Sequence, residues 1–456
     1  MRTRLLATLV GSAAIASALV ASSGAMVPAV AGTRPAGVTA TGVWGKAERL
    51  PGTRPRSAVL SVSCAVVKDC TAGGTGFVDS ETKGTWGKAG PVPGTSGLGV
   101  QWSVSCAAPG DCGAAGNDSG VVYVASQRNG RWAQAVKVTG LGGDVTVSAL
   151  SCGAIGSCVA GGSYRDGGHH TQAFIVAESA GAWKKAQPVP GLVTLNKGGF
   201  AALTAVSCVS AGNCTGGGLY TSGTGAQQAF VLAQAGGKWH AAASLPGLPA
   251  LNKGGYAEVS TISCTSSSAC GAGGIYTDGG FNNTAFAVSR KNGAWGTSLK
   301  LGGINGLSAG PSVGIDQISC SSAGNCGAGG FYTDADDSQQ AFVASEINGT
   351  WSAGEPVPGT TSLNTGLSAL VASVSCRSKG NCTAGGLYTL ASGPSVVFVV
   401  GEVHGTWGTA KTVSGVGDYD SLYSVSCAAP ASCVAGLGAR PGSPGDSYVV
   451  TERPAS

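Results

Sequence analysis

The sequence is poor in charge and in histidine. Only 11% of its 456 residues are charged, 4 are histidine, and the formal net charge is +5 at pH 7. Nucleic-acid-binding proteins gather lysine and arginine into stripes, whereas the basic residues here are scattered along the chain. We therefore expect no nucleic-acid partner.

Long apolar runs are also scarce. One uncharged run, residues 5–20, follows Arg2 and Arg4, and no later run is long enough to span a bilayer. A basic start before an apolar run predicts a signal peptide over residues 1–31, cut after Ala25 or Ala31, and a short linker over 32–41. A membrane anchor is the alternative, but the run is short and rich in serine. We expect a secreted, extracellular protein with no membrane contact after removal of the signal.

Cysteine is abundant and regularly spaced. Sixteen cysteines form eight pairs of the pattern C-x5-C. The pairs are Cys64 with Cys70, Cys106 with Cys112, Cys152 with Cys158, Cys208 with Cys214, Cys264 with Cys270, Cys320 with Cys326, Cys376 with Cys382, and Cys427 with Cys433. This spacing is wider than that of zinc sites, and no histidine recurs beside the pairs. An even number of local pairs in an exported chain predicts eight disulfides, with no metal and no cofactor.

The cysteine pairs recur every 42 to 56 residues, which makes the chain an internal repeat. In the unit around Cys264, four short apolar runs are separated by turn residues, and the third run ends in the hairpin pair Asn292-Gly293. Units of this length with four strands are typical of propeller blades.

Eight tryptophans occupy the fourth run, and the first of them, Trp44, precedes the first cysteine pair. The last unit ends the chain after its third run, so its fourth strand must come from residues 42–44. We therefore predict an all-β fold, an eight-bladed β-propeller over residues 42–456 that is closed by its N-terminal strand. An open solenoid is the alternative, and it would leave Trp44 unpaired with the segment near Tyr448.

The long segments of the repeat fall on one face. In a four-stranded meander, the links between units and the loops from second to third strand share a face, and they are the longest and most polar here. Amides, carboxylates and aromatic rings are the groups that hold sugars. The predicted ligand-binding residues are Asn196, Phe200, Asn252, Tyr256, Asp166, Asp278, Asn282 and Asp334. Two alternatives stay open: the Leu-Asn-x-Gly-Gly segments are ordinary connectors, or Asp334, Asp336 and Asp337 hold Ca²⁺.

The string Ser-Val-Ser-Cys-x5-Cys-x-Ala-Gly-Gly, followed by Gln-Ala-Phe and Asn-Gly-x-Trp, resembles a repeat of secreted actinobacterial proteins of unassigned function, often labelled sialidase-like or propeller-like. The resemblance covers residues 43–452. A sialidase Asp-box would require Ser-x-Asp-x-Gly-x-x-Trp, but residues 346–351 have Asn for Asp and one residue fewer. We predict a non-catalytic, monomeric binding or scaffold propeller for a cell-wall glycan, polysaccharide or extracellular protein. A sialidase-like glycoside hydrolase is the alternative.

Overall fold

Eight antiparallel sheets follow one another along the chain in a computed structural model that describes residues 42–304, 312–439, 443 and 445–454. The predicted signal peptide and linker, residues 1–41, lie outside these residues. Two single-turn helices, Leu192–Leu195 and Leu248–Leu251, lie in links between sheets. Within the described ranges, no helix has the length and apolarity of a membrane span.

The first four blades are meanders in which each of four strands pairs with the next, and a short fifth strand, where present, pairs with the third. Blade 1 contains Val59–Val66, Asp69–Gly74, Phe77–Thr82 and Thr85–Trp86. Blade 2 contains Gln101–Ala108, Asp111–Asp118, Val121–Arg128, Arg131–Trp132 and Val136–Lys137. Blade 3 contains Gly143–Ala154, Ser157–Arg165, Thr171–Ser179, Ala182–Trp183 and Gln187–Pro188. Blade 4 contains Ala201–Ser210, Asn213–Thr221, Gln227–Ala235 and Lys238–Trp239.

The last four blades repeat the same order, except that the outer strand of blade 8 comes from the other end of the chain. Blade 5 contains Ala257–Ser266, Ala269–Thr277, Asn283–Lys291, Ala294–Trp295 and Leu299–Lys300. Blade 6 contains Val313–Ser322, Asn325–Thr333, Gln339–Ile347, Thr350–Trp351 and Glu355–Pro356. Blade 7 contains Ala369–Ser378, Asn381–Thr389, Ser395–Val403, Thr406–Trp407 and Lys411–Thr412. Blade 8 contains Asp420–Ala429, Ser432–Ala439, Ser447–Pro454, Gly42–Trp44 and Glu48–Arg49.

Each blade carries one disulfide between its first two strands. Cys264 and Cys270, for example, lie directly opposite each other across the hairpin, with Cα atoms 3.9 Å apart. The other seven bonds join Cys64 to Cys70, Cys106 to Cys112, Cys152 to Cys158, Cys208 to Cys214, Cys320 to Cys326, Cys376 to Cys382, and Cys427 to Cys433. The hairpin register is thereby fixed covalently in every unit, which confirms the predicted disulfide framework.

Most of the disulfides are part of the packed core. Five of the second cysteines are buried, with 1 to 6% of their surface exposed, and border neither of the two main cavities: Cys112, Cys158, Cys214, Cys270 and Cys326. Their sulfur atoms pack against the preceding blade. For example, a Cβ atom added to Gly113 would lie only 2.7 Å from Sγ of Cys158. These cysteines were predicted as disulfide partners, and their role is structural.

The first strands of the blades form a closed inner ring. Each one contacts the first strand of the next blade, and that of blade 8 contacts that of blade 1. At every junction the backbone N–H of the first cysteine donates to the hydroxyl of the serine that precedes the first cysteine of the previous blade, at 2.9 to 3.0 Å. The junction that closes this ring is Cys64 N–H to Ser426 Oγ, at 3.0 Å.

The N-terminal strand completes blade 8. Gly42–Trp44 pairs antiparallel with the end of the third strand, Trp44 lying opposite Glu452, and Glu48–Arg49 pairs with the same strand further along. A Cβ atom at position 42 would overlap the carboxylate of Glu452, so a larger residue there would displace that side chain. The prediction of an eight-bladed propeller closed by its N-terminal strand is confirmed, and the open solenoid is not observed.

Apolar side chains fill the space between blades. The largest buried side chains include one phenylalanine from the third strand of each of blades 3 to 7. Glycines in the second strands leave room for side chains of the next blade: a Cβ at Gly273 would lie 2.7 Å from the δ-methyl of Ile318. Because nearly all apolar burial lies between blades, a blade depends on its two neighbours for stability.

A polar belt runs around the outside of the ring, opposite the tryptophans. Each of the eight tryptophans pairs with a long polar residue near the end of a third strand. These partners are Glu81, Gln127, Glu178, Gln234, Arg290, Glu346, Glu402 and Glu452. At three junctions a serine of the previous blade donates to the glutamate: Ser126 to Glu178, Ser289 to Glu346 and Ser345 to Glu402, at 2.5 to 2.6 Å. The repeated polar residue before each hairpin turn is visible in the sequence, but its burial is not.

Candidate functional site

The two faces of the ring carry different loops. On one face the cysteine turn contacts the hairpin turn between third and fourth strands, as in the bond from Gly130 N–H to the Gly110 carbonyl, 2.9 Å. On the other face the second-to-third loops contact the links, as in the bond from Thr171 N–H to the Gly199 carbonyl, 2.9 Å. We call the latter the long-loop face, and this separation is the one the sequence predicts.

Three second-to-third loops of the long-loop face are built around an aspartate. Asp166 Oδ1 accepts the backbone N–H of Gly168 and of His170, both at 2.9 Å, and its Oδ2 accepts Nε2 of Gln172 at 3.0 Å. These bonds, the one from Gln172 foremost, lower the pKa of the Asp166 carboxyl. The aspartate is therefore ionised at neutral pH and holds the loop in one conformation.

Asp278 and Asp334 repeat this arrangement. Asp278 Oδ1 accepts the N–H of Gly280 at 2.8 Å and of Asn282 at 3.0 Å. The bond from Asn282 is the main cause of the lowered pKa of Asp278. Asp334 uses Oδ1 for the N–H of residues 336 and 338 and Oδ2 for Gln340 Nε2, 2.9 Å away. The predicted ligand contacts of these three aspartates are untested, and their observed partners lie within their own blades.

The connectors of the Leu-Asn-x-Gly-Gly type anchor the links. Asn196 and Asn252 end the two short helices and are 7% and 6% exposed. Nδ2 of Asn252 donates to the Gln227 carbonyl at 2.9 Å and to Gln228 Oε1 at 3.2 Å, and Asn196 makes the equivalent pair of bonds. The connector alternative therefore describes how these amides are used in the fold, and ligand contact by them remains a prediction.

Several exposed apolar side chains lie on the long-loop face. Half of the large apolar residues that are exposed lie there, in links or second-to-third loops. They are Val193, Phe200, Phe281, Leu363, Leu367 and Tyr419. Of the predicted ligand residues, Phe200 is 39% exposed and Asn282 is also exposed. Phe281, which the sequence analysis did not select as a ligand residue, is 76% exposed and has a φ of +63°, a conformation that is strained for an aromatic residue.

A β-bulge shapes the inner wall of the ring. In seven blades the register between the first and second strands shifts at one first-strand residue, four positions before the cysteine. The bulge residues are Leu60, Ser148, Thr204, Ser260, Asp316, Ala372 and Tyr423. Blade 2 has no bulge there, because the fully buried Trp102 pairs directly with Gly116. The position of the bulge decides which first-strand side chains face the axis.

Two acids and a tyrosine meet at this inner wall, toward the long-loop face. Burial, together with the nearby charge of Glu258, raises the pKa of Asp316 to about 7. Burial also raises the pKa of Glu258, whose Oε2 accepts the hydroxyl of Tyr256 at 2.5 Å. The pKa of Tyr256 is raised by burial and by the same carboxylate, so the tyrosine stays protonated. One of the two acids can therefore carry a proton near neutral pH while its neighbour is ionised. The sequence shows both acids but not their proximity.

Comparison with known proteins supports the fold alone. No protein-family model matches the sequence, and no curated protein matches it either. The Dos1 propeller is similar in structure, with 9% identity, a TM-score of 0.50 and coverage of 91% of this chain and 95% of that one. A protein of unknown function from Dyadobacter fermentans has 9% identity and a TM-score of 0.39 over 91% of this chain and 99% of its own. A polysaccharide lyase, an ulvan lyase, has 10% identity and a TM-score of 0.46 over 75% of this chain and 90% of its own.

Proposed function

We propose that this protein is a secreted, non-catalytic propeller that binds an extracellular polysaccharide or cell-wall glycan through the long-loop face. The observation that carries the proposal is the group of exposed apolar side chains on that face. Aromatic rings stack on the apolar faces of sugars, and Phe200, Phe281 and Tyr419 are exposed there. Asn282 adds an amide that can bond to sugar hydroxyls.

Rigidity of the loops supports the same proposal. The aspartates at positions 166, 278 and 334 hold three loops by two backbone bonds each, so these loops lose little conformational freedom when a ligand binds. Eight disulfides and the signal peptide predicted from the sequence favour an oxidising, extracellular location.

The test is binding of the purified protein to insoluble cell walls, peptidoglycan and a panel of soluble polysaccharides. We expect the triple change Phe200→Ala, Phe281→Ala and Tyr419→Ala to reduce affinity at least tenfold, because stacking contributes about 1 kcal/mol per ring. Asn196 and Asn252 are unsuitable for this test, since their substitution removes hydrogen bonds of the fold.

The matched control changes three exposed apolar residues of the opposite face, Val66, Val67 and Ile155, to alanine. The control should bind like the wild type. Equal binding by both triple variants would contradict a role for the long-loop face, and no binding to any glycan by the wild type would contradict the ligand class.

A sialidase-like glycoside hydrolase is the second candidate, favoured by one observation. Glycoside hydrolysis uses a protonated acid beside a second carboxylate, and Asp316 and Glu258 provide such a pair. The test is hydrolysis of a panel of aryl glycosides. Release of the aryl group by the wild type and its loss in Asp316→Asn would establish this candidate and overturn the non-catalytic proposal.

A further inference from the structure

A cavity of about 450 Å³ lies between blades 7 and 8, beside the N-terminal strand. Its lining includes Trp44 and Glu452 from blade 8 and Arg377, Gly401 and Lys411 from blade 7. This volume is in the range of sites for small molecules. The cavity is well away from the long-loop face, because it also borders the cysteine turn near residues 429–431.

A glycine contributes to the open space. In blades 1, 2, 5 and 6 a serine precedes the polar residue opposite the tryptophan, and in three of these junctions it donates to the glutamate of the next blade. Blade 7 has Gly401 at this position, and a Cβ atom there would meet nothing within 4 Å. Glu452 of blade 8 therefore has no serine to bond with.

The cavity is lined by an acid and a base that do not pair with each other. Glu452 is 8% exposed, and its buried Oε2 has no hydrogen-bond partner among the described residues. The buried Nε of Arg377 likewise has no partner there. Within the described ranges, neither Glu452 nor Arg377 forms an ion pair. The guanidinium nitrogen atoms of Arg377 therefore lie more than 4.0 Å from the carboxylate oxygen atoms of Glu452. A buried acid or base whose polar atoms lack partners is costly, and a ligand with complementary groups would remove that cost.

We propose that this cavity binds a small zwitterion, such as a free α-amino acid. The ammonium group would bond to Glu452, whose ionised form is favoured by Lys411, and the carboxylate would bond to Arg377. The side chain would lie against the indole of Trp44. This site is separate from the proposed glycan face, and its failure would leave that proposal intact.

The experiment is titration calorimetry of the full mature protein with glycine, L-glutamate and L-lysine. Propionate and propylamine serve as probes that carry only one of the two charges. We expect at least one amino acid to bind at least tenfold more tightly than either single-charge probe. Arg377→Gln and Glu452→Gln should each weaken that binding at least tenfold.

Gly401→Ser tests the cavity itself. The substitution supplies the serine found in blades 1, 2, 5 and 6, and the φ of Gly401 is not in the left-handed region. It should abolish amino-acid binding without lowering the melting temperature. Gly167→Ser, another glycine with open space around its Cβ position, is the control and should bind normally. Absence of binding by every amino acid, or unchanged binding in Gly401→Ser, would overturn the proposal.

Discussion

At the scale of the residue, the serine before each first cysteine determines how blades meet. Ser207, for example, is fully buried and accepts the backbone N–H of Cys264 in the next blade at 3.0 Å. The repeated Ser-Cys pair is plain in the sequence. Its role was not predictable there, because the partner lies some 57 residues further along and the serine could equally face solvent.

Removing one of these serines tests their contribution to stability. Ser207→Ala leaves the buried N–H of Cys264 without an acceptor, which should lower the free energy of unfolding by about 1 to 2 kcal/mol. Chemical denaturation measures the change. Ser267→Ala, at an exposed position of blade 5, is the control and should change stability by less than about 0.5 kcal/mol. Equal effects would show that the ring of serines contributes nothing specific.

The buried glutamate of blade 8 predicts a pH dependence. Burial raises the pKa of Glu452 to about 7, partly offset by Lys411, whereas an unfolded glutamate has a pKa of about 4.3. Between these values the folded protein holds a proton that the unfolded chain has released. The contribution of Glu452 to the free energy of unfolding is therefore fully present below about pH 4.3 and is lost as the pH rises to about 7.

The free energy of unfolding should fall by on the order of 3 kcal/mol because of Glu452. Asp316, with a pKa raised to about 7, should lower it further over the same pH range. Denaturation curves between pH 5 and 8 should show decreasing stability, with a smaller slope in Glu452→Gln. Asp336→Asn, at an exposed position, should keep the wild-type slope. An identical slope in the Glu452 variant would contradict the assignment.

At the scale of the element, hairpins were predictable and links were not. Asn292-Gly293 has positive φ at both residues, 51° and 81°, as the hairpin pattern predicts. The Leu-Asn-x-Gly-Gly links contain a single helical turn and a buried asparagine, because neighbouring strands supply partners such as Gln228 that only the folded structure brings close. Local sequence therefore determines the turns, whereas tertiary contacts determine the links.

The N-terminal strand is the element on which closure depends. A mature chain that starts at residue 50 loses Gly42–Trp44 and Glu48–Arg49, which leaves the third strand of blade 8, Ser447–Pro454, as an unpaired edge. We expect a melting temperature lowered by several degrees and self-association through that edge. Light scattering after size exclusion, together with thermal melting, measures both effects. A chain that starts at residue 42 is the control and should be monomeric, and identical behaviour of the two chains would contradict this role.

At the scale of the whole molecule, the repeat predicted the number of blades, the disulfides and the closing strand. The inner wall was not predictable. The bulge before each cysteine changes which first-strand residues face the axis, and a bulge leaves no reliable mark in a strand of alternating small residues. Glu258 and Asp316 are 58 positions apart and interact only because their blades are neighbours.

Closure of the ring is tested most directly by a covalent link between its two ends. Val43 and Arg453 lie directly opposite each other, so Val43→Cys with Arg453→Cys should form an intramolecular disulfide, seen as a linked peptide by mass spectrometry after proteolysis. The control pair is Val43→Cys with Ile347→Cys, which places the second cysteine at the equivalent position of blade 6 and should give no link. A link in the first pair alone is the predicted result. Its absence, or equal linking in both pairs, would contradict a propeller closed by its N-terminal strand.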